Sequence, residues 1–249
     1  MTNEQSRNYR IEIATTDFIT AKAAVEGGAD RIELCAALSE GGITPSHGMI
    51  KICREEFDVE LFPIIRPRGG DFLYTDEEYE VMRKDVLLAK QVGCDGVVIG
   101  LLNADGNVDV KRTGKLVELA YPLEVTFHRA FDRSKDPFEA MEQLISIGCN
   151  RILTSGQKTV ATKGIELIAQ LVRAADDRII IMPGSGVRKE NIKELAQKTG
   201  AVEFHSSLRS QQKSKMNFIH PDFADSDESY FNPAIGTSEV EALRNALES

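Results

Sequence analysis

Apolar residues recur along this 249-residue chain in short alternating runs, separated by longer segments of helical period. Alternation of period two marks Arg10–Thr15 (RIEIAT) and Arg31–Leu38 (RIELCAAL) as strands, and short, mostly apolar runs mark Val59–Arg66 (VELFPIIR) and Gly96–Leu102 (GVVIGLL). Four more follow: the run that opens at Leu123 (LEVTF), Arg151–Ser155 (RILTS), Arg178–Pro183 (RIIIMP) and Ala201–Ser206 (AVEFHS). Between them the pattern predicts helices at about 17–29, from Thr44 onward, to about Val92, and at about 109–121, 137–147, 164–175 and 189–199. Thr44 followed by Pro45 reads as an N-cap with proline in the first helical position, and Thr75 with Glu78 as a capping box. Asp136, Pro137 and Glu139 mark another start. The helix-to-strand joins resemble one another, in GGADRIEL, GCDGVVIG, GCNRILTS and TGAVEFHS, where glycine closes a helix in a left-handed turn.

Eight strands alternating with helices in 249 residues predict a (β/α)8 TIM barrel occupying residues 1–249 as a single domain. A doubly wound open sheet is the competing arrangement. Residues 208–236 break the rhythm: they are polar and irregular, a long loop rising from the C-terminal rim as a lid, a subunit contact or a plain surface loop. A helix over 237–248 presents Val240, Leu243 and Leu247 on one face and closes the outer ring.

Strand alternation also decides which side chains enter the barrel. The isoleucines of RIEIAT face the helices, so Glu12 points inward; by the same logic so do Glu33, Cys35, Arg66, Thr126, His128, Glu203 and His205. Six of these are ionisable, and buried charges must pair or bind something. One outcome is an internal ion network, with Arg66 as the cation opposite Glu12 or Glu33. The other is a site at the strands' C-terminal ends, where barrels keep their chemistry. In that case Glu12, Glu33, His128 and His205 are the candidate proton-transfer residues. Arg66 and Arg68, around Pro67 and before Gly69–Gly70, form a stiff basic corner suited to an anion. Gly184, Ser185 and Gly186 follow strand seven, where many barrels cradle a phosphate on backbone N–H groups. For a soft metal, Cys35 and Met182 supply sulfur.

Charge and cysteine use narrow the partners. A net charge of −9 and a pI near 5.1 argue against nucleic acid. No apolar run approaches the roughly 20 residues of a membrane span, and MTNEQSRNYR lacks the apolar core of a signal peptide. Cys35, Cys53, Cys94 and Cys149 are scattered without a CxxC pair, as in a reduced cytoplasmic protein. No Walker loop, G-x-G-x-x-G or nucleophile elbow is present. The expected ligand is a small molecule or an ion.

The segments IELCAALSEGGITPS, IRPRGGDFLYTDEE, EVTFHRAFD, RILTSG, MPGSGV and EFHSSLRS closely resemble the CutC family of copper homeostasis proteins, from about Ile11 to Phe218. The resemblance implies a cytoplasmic TIM barrel that self-associates as a homodimer or higher homo-oligomer and binds copper as Cu(I). It carries over Cys35 as the metal residue, with Glu12, Glu33, Arg66, His128 and His205 in a polar mouth. Animal members have a second cysteine at the position of Ala14. The alternative is an enzyme acting on a small anionic or phosphorylated metabolite, held by Arg66 and the Gly184–Gly186 loop.

Overall fold

The computed structural model describes residues 9–223 and 230–249. Its eight parallel strands are β1 (Arg10–Thr15), β2 (Arg31–Leu34), β3 (Glu60–Pro63), β4 (Gly96–Ile99), β5 (Glu124–Phe127), β6 (Arg151–Thr154), β7 (Ile180–Pro183) and β8 (Glu203–Ser206). They form two hydrogen-bonded arcs, β8-β1-β2-β3 and β4-β5-β6-β7. The Ile64–Val98 bridge joins the arcs at β3 and β4, where Ile65 N–H donates to Val98 O at 2.8 Å. β7 lies beside β8 and completes the ring.

Helices α1 (Phe18–Glu26), α2 (His47–Glu56), α3 (Asp76–Val92), α4 (Val110–Ala120), α5 (Pro137–Ser146), α6 (Ile165–Ala175), α7 (Ile192–Thr199) and α8 (Thr237–Glu248) clothe the barrel. This is the (β/α)8 architecture that the pattern predicts. Alternation divides the apolar residues into two clusters. Ile11, Ile13, Ile32, Leu34 and Leu61 lie under the helices, while Ala14, Cys35, Phe62, Ile64 and Val98 fill the barrel's interior. Gly96 makes room for the interior: a Cβ there would meet the Phe62 ring at 2.3 Å.

The caps at Thr75–Glu78 and Asp136–Pro137 form as expected. The start of α2 does not. Ser46, not Thr44, is its N-cap, accepting from Met49 N–H at 3.2 Å. The Thr44 hydroxyl instead accepts from Arg66 N–H at 2.9 Å, so Pro45 precedes the helix. Strand two ends at Leu34, four residues earlier than its apolar run, because Ala37 adopts φ 46° and starts a 3-10 turn at Leu38–Glu40. The stretch 208–236 is not irregular throughout: β9 (Ser210–Lys213) and β10 (Phe231–Ala234) pair as an antiparallel hairpin. Residues 224–229 of that stretch, and the N-terminal residues 1–8, lie outside the described residues.

α8 buries Val240, Leu243 and Leu247 against the barrel, and Gly27 permits the close approach, since a Cβ there would meet Val240 Cβ at 2.6 Å. Among the described residues, no helix is long and apolar enough to cross a membrane.

Candidate functional site

Two layers of polar side chains fill the barrel. The lower is an ion network whose signal lies in the strand pattern: Arg31 stands two residues before Glu33, on the same face of β2. Arg31 donates to Glu12 Oε2 and Glu203 Oε2, both at 2.5 Å. Arg151 donates to the same Glu203 oxygen at 2.6 Å and to Glu124 at 3.2 Å. Both guanidinium groups are 1% exposed and lie over Phe62, at 5.0 and 5.7 Å from the ring centre. Arg31 is therefore the buried counter-ion of Glu12, and Arg66 is not. The parallel register places Glu12 beside both Arg31 and His205 at Cα level, and so sets this pairing.

The upper layer is built on β1, β2 and β8. His205 Nδ1 lies 2.7 Å from Glu12 Oε1, and its Nε2 lies 3.8 Å from Glu33 Oε2. The Cys35 thiol donates to the same Glu33 oxygen at 3.5 Å. A continuous polar chain thus runs from Arg31 through Glu12, His205 and Glu33 to Cys35.

The electrostatics separate the two carboxyls. Burial alone would raise Glu12, but the Arg31 charge and the bond from His205 outweigh it and hold the group well below the usual carboxylate range. Glu33 lacks such a cation. Burial raises it, the His205 charge opposes, and the Glu12 charge reinforces the rise, so the net direction is upward. Burial lowers His205, yet its bond to Glu12 and the charges of Glu33 and Glu12 lift it above the ordinary imidazole value. Burial, followed by the Glu33 charge, pushes the Cys35 thiol well above its ordinary range. Glu12 is thus biased towards its anion, while His205 and Glu33, 3.8 Å apart, are both shifted towards holding a proton. Two carboxyls pushed apart in this way are a recurring acid–base arrangement.

His128 stands apart from this group. It follows β5, and its ring lies 4.9 Å from that of Phe72. Its Nδ1 accepts from Ala130 N–H at 3.1 Å, and burial, with the Arg66 charge, lowers its pKa to about 3. The ring fits only because residue 100 is glycine; a Cβ there would meet His128 Cε1 at 2.2 Å.

The anion candidates fall into two separate places. Arg66 donates to the carbonyls of Glu40 (2.7 Å), Gly42 (2.9 Å) and Gly70 (3.0 Å), and so ties together the loops after β2 and β3. Arg68 donates to Glu78 Oε1 at 2.5 Å and to Leu73 O at 2.8 Å. Gly184 instead packs on His205, where a Cβ would approach to 3.3 Å. Ser185 takes φ 74° and donates to Thr159 O, and Gly186 also lies in the left-handed region. Arg188 borders this loop and donates to Ser206 Oγ at 3.1 Å, a cation that the motif reading overlooked.

As a place for Cu(I) the layer fits poorly. It offers one thiol, whose pKa burial and the Glu33 charge push up, and its other donors are two carboxylates and an imidazole, whereas Cu(I) favours sulfur. Met182 turns its sulfur to Arg31 Nη2 at 3.5 Å in the lower layer. Among the described residues, no group of three or more His, Cys, Asp or Glu side chains is arranged to hold a metal ion. Cys53, Cys94 and Cys149 are buried, and burial pushes their thiols up to about 11, 12 and 12.

The CutC family model matches residues 9–210. The chain belongs to the CutC family. A family protein CutC from Parabacteroides distasonis is 53% identical over 209 residues, covering 84% of this chain and 86% of that protein. The human relative, named copper homeostasis protein cutC homolog, is 45% identical, covering 86% of this chain and 80% of its own length. The crystal structure of CutC from Streptococcus agalactiae superposes with a TM-score of 0.77 at 32% identity, covering 80% of this chain and 98% of that one. Phosphoribosylanthranilate isomerase from Thermotoga maritima shares the fold alone, at 13% identity and TM-score 0.59, covering 96% of this chain and 98% of that one. The family match ends at residue 210, where the β9–β10 hairpin begins.

Proposed function

We propose that this chain takes part in copper homeostasis, the role for which its human and mouse relatives are named. We further propose that it acts as a cytoplasmic enzyme on a small anionic metabolite at the barrel mouth. The observation that carries this reading is the Glu12–His205–Glu33 chain, in which Nδ1 is fixed on an ionised carboxylate and Nε2 faces one of raised pKa. Glu12 orients the imidazole, and His205 and Glu33 pass a proton to or from the bound molecule. Four free, buried cysteines suit a reducing compartment. A native mass spectrum of freshly purified protein is the test. It should show a retained metabolite and a homodimer or higher homo-oligomer. Glu33→Gln and His205→Gln should keep the subunit count and lose the metabolite. A parent that carries nothing but metal would refute the enzymatic reading.

A second reading has one observation in its favour. Cys35 Sγ and His205 Nε2 lie 3.5 and 3.8 Å from the same Glu33 oxygen, so a copper ion taken as cargo would find sulfur, nitrogen and oxygen at one place. Competition against a Cu(I) chelator tests it. Cys35→Ser should lose most of the affinity under this reading, and an absence of measurable binding in the parent removes it.

A further inference from the structure

Across the mouth from the acid–base group, on the side of β3 and β5, three buried polar atoms have no hydrogen-bond partner: Arg66 Nε, Tyr74 Oη and His128 Nε2. Unpaired buried donors are costly and rare, and a set of them needs a reason. Arg66 and His128 flank one ring, and Tyr74 joins them through Arg66. Phe72 lies 4.9 Å from the His128 ring and 5.0 Å from the Arg66 guanidinium carbon. Arg133 approaches the same ring from 5.4 Å, so two cations and an imidazole surround it. Arg66 also reaches the Tyr74 hydroxyl: its charge acts on it and its side chain lies within hydrogen-bonding range, although no bond of good geometry forms between them.

The protonation of this group follows from its bonds. His128 Nδ1 accepts from Ala130 N–H, so the neutral ring carries its proton on Nε2, the atom left without a partner. Arg66 has given three of its four terminal N–H groups to carbonyls, which leaves one Nη2–H and the wholly unpartnered Nε–H. Every orphan here is a donor or can act as one, and among the described residues no carboxylate is hydrogen-bonded to any of them. The neighbouring charges are Arg66 itself, Arg133, and Arg68 over Tyr74 at 5.1 Å; Glu78 and Asp71 on the adjoining loop are paired with Arg68.

We infer that Arg66, Tyr74 and His128 form an oxyanion-binding wall, in which the Nε–H, hydroxyl and Nε2–H donate to a carboxylate or phosphate group of the bound molecule. This deepens the enzymatic reading above and rests on it. The anionic end of the metabolite sits on the donor wall, and its reacting end faces Glu33 and His205. His128 is then a fixed donor and not a proton carrier, a division of labour that its tautomer enforces. Neutral imidazole is the better partner here, because an imidazolium would stand beside Arg66 in a buried place.

The test uses the full-length protein with its histidines labelled with nitrogen-15, titrated separately with inorganic phosphate and with acetate. The parent should show a neutral His128 with its proton on Nε2, whose signal moves on addition of one of the two anions. The anion that acts distinguishes a phosphate from a carboxylate ligand. Tyr74→Phe removes one hydroxyl and keeps the ring, and should weaken that response about tenfold, the effect of losing one hydrogen bond to a charged group. Arg66→Met should weaken it at least as much. A His128 signal unmoved by both anions, or a response unchanged in Tyr74→Phe, would overturn the wall. Movement of His205 alone would also overturn it, while leaving the acid–base reading in place.

Discussion

Replacing Arg31 by Met tests the account of the barrel's interior most directly. The guanidinium is 1% exposed and holds two carboxylates at 2.5 Å, while its stem and plane pack on Phe62. Methionine keeps much of the stem's bulk but leaves both carboxylates short of a cation. Breaking a buried pair from one side costs about 3–5 kcal/mol. The lower end is expected here, because Glu12 keeps His205 at 2.7 Å and Glu203 keeps Arg151 at 2.6 Å. At roughly 2.1 cal/mol/K per residue, a chain of 249 residues unfolds with an entropy of ~0.5 kcal/mol/K, so ~3 kcal/mol lowers the melting point by ~6 °C. The defect should also depend on pH. In the parent the depressed Glu12 stabilises the fold above the ordinary carboxyl pKa, and that contribution disappears as pH falls through the folded value. Without Arg31 the Glu12 carboxyl rises and accepts a proton sooner, so the gap between the two proteins should narrow in acid. Urea and thermal melts at pH 7 and pH 4 measure both effects. A loss below about 1 kcal/mol at pH 7, or a loss that stays constant with pH, would show that Arg31 is not holding buried charge.

The two histidines should respond to pH in opposite directions. His128 is held at about 3 against an ordinary 6.5, so the unfolded chain takes up a proton that the folded one refuses. Its contribution to stability is present above 6.5 and lost as pH falls towards 3, by at most about 1.4 kcal/mol per pH unit; His128→Phe should flatten that slope. His205 is raised above 6.5, so its contribution is complete below 6.5 and lost as pH rises through the folded value. His205→Gln should remove a decline on the alkaline side, and an unchanged curve would refute the pairing with Glu12. Gly100→Ala forces a Cβ against the His128 ring at 2.2 Å and should cost about 1–3 kcal/mol, read as a shifted urea midpoint.

Much of the architecture was already legible along the chain. The strands of the ring show as alternating or short apolar runs, because a strand lies under helices on one side and lines the barrel on the other, so both of its faces are kept from water. The capping boxes and glycine joins are equally local, since they depend on bonds within one turn. The alternation of side chains brought Glu12, Glu33, Cys35 and His205 to one interior, and the structure places them in a single chain of polar contacts, hydrogen-bonded at both ends and joined by a 3.8 Å His205–Glu33 contact.

Tertiary structure decided what each charge does. Pairing depends on the stagger between neighbouring strands, which no single strand records: the register sets Glu12 beside Arg31 and His205, 19 and 193 residues away in sequence. The sequence pattern makes Arg66 a cation for the glutamates, but the loops after β2 and β3 offer it three carbonyls first. Thr44 lost its place as a helix cap for a related reason, because the backbone N–H of Arg66 had a prior claim on its hydroxyl. His128 and His205 are both inward-facing histidines near strand ends. One has its pKa lowered by burial beside a cation and the other has its pKa raised between two carboxyls, and only the closed ring determines which neighbours each one meets.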